Sequence, residues 1–482
     1  MNNGPRVLLH PISAAATALI LTLACAGEAS AQTAPSGGGA PSGGGTPSGG
    51  PSAPSGGPAA PTGSPGAPTG GPSGSGASTG GTLGGPSDPN PYYIGVSQAF
   101  THDSNVYRIP DGPADTYSAT SLLGGFDQLL GRQRLYGRAV VTGNRYQDEK
   151  TLDNTSYNAY LGLDWETIEH LSGRISGSFN QGLTSAPAGG STPVATRNIS
   201  NTETIEAIIR WGGPSLLTLE GAASYSNVGY SSIQYVASEF NKSSASISLF
   251  YHGGGPLRIG IGVRADATRT PQAFVDPATG QVQSTRLNGQ YIDLLADYDV
   301  TGQIGANARL SYTRQENSGG GGADLSGWTG NVGLAWQATG KISLRVDAAR
   351  DAGFNSTTYS TFAFTQTATG IAFTPVVGVF QNNQITTSAG ISANYAATAK
   401  IATFASARYY RAHQLNLVAA TGTAAEDVVD ISNVFSLGAN YQITRNWGAA
   451  CTMAYETRDV TGGRNYAYDA KTIGCSTQFT WR

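Results

Sequence analysis

The amino-acid sequence predicts an all-β fold: a transmembrane, antiparallel, up-and-down β-barrel of about 18 strands, with 16 as the alternative, preceded by a disordered leader. Three observations predict it. From Tyr92 onward apolar and small polar residues alternate in segments of about 9 to 14, the connections between segments are alternately short and long, and aromatic residues gather at both ends of the segments.

Residues 1–31 read as an export signal, with Arg6, an apolar run from Ala14 to Ala26 and a small-x-small exit at Ala29-Ser30-Ala31, which places cleavage before Gln32. Lipid modification of Cys25 is the alternative, although Thr22-Leu23-Ala24 lacks the usual leucine three positions before such a cysteine. Residues 32–90 are almost entirely Gly, Ser, Pro, Ala and Thr, as in Pro41-Ser42-Gly43-Gly44-Gly45. With nothing apolar to bury, this stretch is expected to be a disordered Gly/Pro/Ser-rich periplasmic linker. A spacer is its plain reading; a recognition segment for periplasmic partners or peptidoglycan is the sharper one.

Residues 91–482 form the expected barrel. Successive strand side chains point to opposite faces, so a period of two separates an oily face from a wet one. Tyr157, Ala159, Leu161, Leu163 and Trp165 share one face, and Asn158, Tyr160, Gly162, Asp164 and Glu166 the other. The same split sets Leu257, Ile259, Ile261 and Val263 against Arg258, Gly260, Gly262 and Arg264. Short turns are expected near Gly131-Arg132, Glu169-His170, Gly212-Gly213-Pro214, Gly253 to Pro256, Thr301-Gly302, Gly340, Thr398-Ala399 and Arg445-Asn446. Longer loops fill the intervals, among them residues 101–115, 269–287, 354–382 and 412–428. Such alternation is the habit of outer-membrane barrels, and it puts the linker and the C-terminus in the periplasm.

Phe126, Trp165, Trp211, Tyr251, Tyr298, Trp336, Tyr395, Tyr441 and Trp481 lie beside the short turns in oily-face register, as an interfacial girdle requires. Tyr157, Phe179, Tyr225, Tyr312, Trp328, Tyr409 and Tyr455 mark the opposite edge. A soluble sandwich or propeller would also alternate, but without an export signal or one-sided aromatics. The last segment, Ile473, Cys475, Thr477, Phe479 and Trp481, resembles the terminal signal read by outer-membrane assembly machinery, with Arg482 as an extra residue. Expected partners are therefore outer-membrane lipids and that machinery.

Charged residues make up 12% of the chain and its net charge is −3, which argues against nucleic acid as a partner. A closed sheet of this size has room for an aqueous lumen. The residues expected to line it are Arg134, Arg138, Asp164, Arg174, Arg210, Glu220, Arg258, Arg264, Asp293, Asp297, Arg309, Arg345, Asp347 and Arg408, with Tyr136 and Tyr160 among them. Their signs nearly balance, so no strongly ion-selective field is expected. They either solvate the wall and pair across strands, or offer an Arg-rich ladder to a polyhydroxylated or acidic chain in transit.

The loop from Phe354 to Asn382 is the longest and least polar, with Phe362, Phe364 and Phe373, and is expected to be a hairpin that extends the barrel outward or folds inward as a constriction. Cys451 and Cys475 fall opposite each other in the last hairpin on the oily face, either as a disulfide or as two thiols packed as small apolar residues. His102, His170, His252 and His413 are scattered among turns and loops, with no partners at a catalytic spacing. No enzyme activity, cofactor or metal site is expected.

The first strand and its loop, Gln98-Ala99-Phe100-Thr101-His102-Asp103-Ser104-Asn105-Val106-Tyr107-Arg108, resemble the opening of outer-membrane β-barrel porin families associated with bacterial exopolysaccharide systems. Gly131-Arg132-Gln133-Arg134-Leu135-Tyr136-Gly137 and Leu152-Asp153-Asn154 are similar in style. The resemblance implies an outer-membrane barrel with a part in polysaccharide export or display. Three functions are compatible with the sequence: a porin-like channel passing polar solutes or saccharides, an exopolysaccharide export or binding barrel, and a non-conducting structural or surface-interaction barrel.

Overall fold

Tyrosine, valine, isoleucine, threonine and phenylalanine on a pleated, half-buried surface favour strands, and the chain is built from strands almost throughout. The computed structural model describes residues 91–481 except 169, 184–196, 213–215, 233–238, 276–281, 301–302, 319–323, 355–358, 368–369, 379–382, 415–427 and 462–466. The expected export signal and linker, Arg482, and much of the long loops therefore lie outside the described residues.

The first strands are β1 (Tyr92–Asp103), β2 (Asp115–Leu130), β3 (Gln133–Tyr146), β4 (Asn154–Glu166), β5 (Leu171–Leu183) and β6 (Ile199–Trp211). They are followed by β7 (Leu217–Tyr230), β8 (Phe240–His252), β9 (Leu257–Val275), β10 (Val282–Val300), β11 (Ile304–Ser318), β12 (Leu325–Gln337) and β13 (Ile342–Phe354). After a separate hairpin of β14 (Tyr359–Thr367) and β15 (Gly370–Gly378) come β16 (Asn383–Ala396), β17 (Ile401–Gln414), β18 (Val428–Gln442), β19 (Trp447–Thr461) and β20 (Tyr468–Trp481). Each strand pairs antiparallel with its neighbour in sequence, β13 pairs with β16, and β20 closes on β1 through Ile94↔Trp481 to Asp103↔Thr472. The result is one closed sheet of 18 strands; 16 is excluded. Closure leaves no edge, so every strand has a backbone partner on both sides.

Burial alternates with the sequence. In β8, Phe240, Lys242, Ser244, Ser246, Ser248 and Phe250 are buried, while Asn241, Ser243, Ala245, Ile247, Leu249 and Tyr251 face out. The inward residues are mostly polar and the outward ones mostly apolar, the reverse of a soluble core. Leu161, Trp211, Leu249, Ile261, Leu294, Trp336, Leu437 and Trp481 all stand exposed on the exterior as parts of a continuous apolar band.

The short turns have a local cause. Thr339 Oγ1 accepts from the Lys341 and Ile342 amides, Thr398 Oγ1 from those of Lys400 and Ile401, and Thr444 Oγ1 from those of Asn446 and Trp447. A hydroxyl that satisfies two turn amides lets a strand reverse within a few residues. At Gly131 the turn after β2 needs a φ of 65°, which a residue without Cβ adopts freely.

One expectation changes and one is met. The loop expected over residues 269–287 is largely strand: β9 and β10 pair as far as Val275↔Val282. A register shift between Gln283 and Thr285 lies opposite Pro271, whose missing amide cannot join the ladder, so a bulge accommodates it. The loop over residues 354–382 is the hairpin β14–β15, with Phe364 opposite Phe373 and Phe362 opposite Pro375. Its two strands form a sheet of their own and do not widen the barrel. β15 passes within 8 Å of β19 between Cα atoms, three strands round from β16, so the hairpin crosses toward another part of the wall.

Candidate functional site

The candidate site is the inner wall, because the exterior is apolar and the charges face inward. The strand register puts Arg134, Arg138, Asp164, Arg174, Arg210, Glu220, Arg258, Arg264, Asp293, Asp297, Arg309, Arg345, Asp347 and Arg408 on that face. Trp165, Trp211, Tyr251, Tyr298, Trp336, Tyr395, Tyr441 and Trp481 are on the outer face in the same register. Phe362, Phe364 and Phe373 are placed by strand register only, on β14 and β15.

On β6 to β10 the charges form a chain near the short turns. Arg210 and Glu220 are directly opposite and bonded at 2.5 Å, Arg258 lies 3.8 Å from the same carboxylate, and Arg258 faces Asp297 at 3.5 Å. The Arg258 guanidinium stacks 3.6 Å from the centroid of the Phe250 ring. That ring lies over Gly260, where a Cβ would come within 2.6 Å of it. The aromatic face on one side and the two carboxylates nearby offset part of the cost of removing this guanidinium from water.

Farther along the same strands a second chain crosses β8 to β13. Lys242 pairs with Asp266 at 3.1 Å, the Tyr291 hydroxyl donates to Asp266 at 3.0 Å, and Gln315 Nε2 donates to Tyr291 and to the Ala352 carbonyl. Beside it Arg264 bonds Asp293 and Arg309 reaches Asp351. The side chains of Arg264 and Asp293 are only 3% and 4% exposed. This stretch of wall is packed side chain on side chain.

The other stretches differ. Arg134 and Asp127 are paired at 2.5 Å, yet each is 49% exposed, and Arg174 and Asp164 are each 30% exposed. Arg134 also sits 5.0 Å from the Tyr136 ring, and Tyr136 and Tyr160 lie against each other with centroids 5.8 Å apart. On β13, Arg345 and Asp347 are exposed, and Asp347 leans toward Gly390, across which Arg408 lies in register. The inner face is thus open along β2–β5 and β13–β17 and closed along β7–β11.

The segment from Asp103 to Arg108 has a structural part. Asp103 Oδ1 accepts from the Asn105 amide and from Arg108, Asn105 Nδ2 donates to the carbonyls of Ile109 and Asp469, and Arg108 Nε bonds Glu456 of β19 at 3.0 Å. Burial works against the Arg108 charge, but Asp103 and Glu456 outweigh it and hold its pKa above the ordinary value. Glu456 also accepts from Tyr468, and Arg458 pairs with Asp430 on β18. This cluster clamps the β1–β2 loop onto the seam where the barrel closes. Sequence reading missed Glu456, Arg458 and Asp430; their inward register on β18 and β19 was the available signal.

Cys451 and Cys475 form a disulfide with Cα atoms 4.1 Å apart, directly opposite each other on the outer face of β19 and β20. The Thr480 amide donates to the Asn446 carbonyl in the same ladder, which makes Cys451↔Cys475 one of the close, non-hydrogen-bonded pairs. His102 lies on the outer face with Nδ1 3.0 Å from Thr116 Oγ1. Among the described residues no three His, Cys, Asp or Glu side chains gather as a metal would require.

No family model matches the chain, and no curated protein matches it. Among solved structures, OccK1 (OpdK) of Pseudomonas aeruginosa superposes at TM-score 0.41 with 10% identity over 81% of this chain and 99% of that one. OccK2 (OpdF) of the same organism gives 0.41 with 11% identity over 81% and 97%. The siderophore receptor PirA of Pseudomonas aeruginosa gives 0.37 with 12% identity over 81% and 80%. Likeness at this level carries no argument about function, which has to come from the wall itself.

Proposed function

We propose that this chain is an outer-membrane channel through which small polar solutes pass. The observation that supports it best is the solvent-exposed, charged inner face along β2–β5 and β13–β17, enclosed by a closed sheet whose exterior is apolar. Hydrocarbon covers such an exterior, and water and solutes wet such an interior. Residues 1–31 direct export, residues 32–90 act as a periplasmic linker, and the short turns face the periplasm.

The exposed charges carry both signs, so passage is weakly selective between anions and cations. Reconstituted into a planar bilayer, the folded protein is expected to give discrete conductance steps with weak charge selectivity. A folded barrel that inserts and passes no current would overturn this reading in favour of a structural barrel.

A finer reading has a saccharide in transit, up to a polymer in exopolysaccharide export. It is favoured by Tyr136 and Tyr160, an aromatic pair on the open wall with Arg134 alongside, because sugar rings stack on aromatic faces while their hydroxyls take charged partners. The β14–β15 hairpin narrows the passage. Deleting residues 359–378 is expected to raise single-channel conductance; an unchanged conductance would remove the hairpin from the path.

A further inference from the structure

Charges on the outer face of the barrel are few, and those on β9, β10 and β11 follow no pairing rule for a sheet. Arg269 and Arg286 lie directly opposite each other on adjacent strands, both exposed and both outward. Like charges in this position destabilise a sheet unless something between them carries the opposite sign. Neither has a carboxylate partner among the described residues; Arg286 Nε donates only to Asn288 Oδ1 at 3.0 Å. On the next strand Arg314 pairs with Glu316 at 2.8 Å with both side chains well exposed. Asn241, opposite Arg269, and Ser318, opposite Arg286, add neutral polar groups on either side.

The depth of the patch matters as much as its charge. On β10 the outward residues run Tyr298, Ala296, Leu294 and Ile292, then change to Gln290, Asn288 and Arg286; on β11 Leu310 and Tyr312 give way to Arg314. The edge-to-face contact of Tyr312 with Trp328, centroids 5.5 Å apart, marks the boundary. Arg314, opposite Gln290, thus stands just past the apolar band at its long-loop end, and the Arg269–Arg286 pair lies four residues farther out along β10, on the headgroup side.

We propose that Arg269 and Arg286 form a binding site for the phosphate groups of an anionic, phosphorylated glycolipid in the membrane leaflet at the long-loop end. A phosphate between two guanidiniums relieves their repulsion and accepts bidentate hydrogen bonds from each. The site rests on the outer-membrane reading given above.

The test uses the full-length folded protein in phosphatidylcholine vesicles, with and without bis-phosphorylated lipid A, its dephosphorylated form, or inorganic phosphate. Binding is read by co-purification and by the rise in unfolding temperature. The wild-type protein is expected to bind the phosphorylated lipid, to ignore the dephosphorylated one, and to respond only weakly to inorganic phosphate. In Arg269→Gln/Arg286→Gln binding should weaken about thirtyfold, at about a factor of five per arginine near a headgroup surface, with insertion and conductance unchanged. Arg269→Lys, which keeps charge but loses the fork, should lie between. Equal binding by wild type and the double variant, or equal binding of the dephosphorylated lipid, overturns the site while leaving the channel reading intact. A wild-type chain that never inserts into vesicles overturns both.

Discussion

Two stretches of the same wall use the same residue types for different ends. Along β7–β11, Glu220, Arg258, Arg264, Asp293 and Arg309 are buried in ion pairs that run from strand to strand. Along β2–β5 and β13–β17, Arg134, Asp127, Arg345 and Asp347 face inward as well but stand in solvent. Register and composition do not separate the two groups; what separates them is whether neighbours exclude water. A buried pair that loses one member leaves the other charge stranded, whereas an exposed pair exchanges its partner for water at little cost. The closed stretch should therefore govern stability and the open one the passage of ions.

The largest effect expected from this contrast is at Glu220. Glu220→Gln strips Arg210 and Arg258 of their shared carboxylate and should lower the unfolding free energy by about 3 kcal/mol, as loss of one member of a buried pair does. Urea titration of the barrel in vesicles measures it, and conductance of the folded fraction should stay near wild type. A loss no larger than that of an exposed pair would erase the distinction.

The disulfide provides a control outside both stretches, since Cys451 and Cys475 face outward. Cys451→Ser/Cys475→Ser should cost about 3 kcal/mol on chain-entropy grounds for a loop of this length, without changing ion selectivity. A change of selectivity would mean that the last hairpin reaches the path.

Smallest in stability but visible in current is Arg134→Gln. Its pairing with Asp127 is half exposed and is worth at most about 1 kcal/mol. Removing a unit charge roughly 8 Å from the path in water lowers the cation barrier and raises the anion barrier by about 0.5 kcal/mol each, so the cation-to-anion permeability ratio should rise about fivefold. Reversal potentials under a salt gradient give that ratio directly; a ratio that stays put would place Arg134 off the path.

The sequence made the architecture readable because strand faces repeat every two residues over the whole barrel. Leu257, Ile259 and Ile261 could only face oil if Arg258 and Arg264 faced in, and the same logic assigned a face to every expected wall and girdle residue. Strand ends were less readable. Arg269, Thr270, Pro271 and Gln272 have no oily face, so they looked like loop, although the ladder continues through them past the apolar band.

Which charges are buried was not readable at all. Arg258 and Arg134 have the same alternation around them; their difference comes from Phe250, Glu220 and Asp297 on other strands. The Asp103 to Arg108 segment caught the eye as a motif, but its purpose depends on Glu456, 348 residues away from Arg108. Periodicity reports which face a residue occupies. It does not report what meets it there.

The central claim is that water fills the lumen along the open stretch and not along the closed one. Single cysteines at Arg345, on the open wall, and at Ser311, fully buried on the closed one, test it when a charged thiol reagent is added during single-channel recording. The account predicts that Arg345→Cys is modified rapidly with a stepwise change in current and that Ser311→Cys is left untouched. Equal modification at both positions, or no response at Arg345→Cys in a conducting channel, would contradict it.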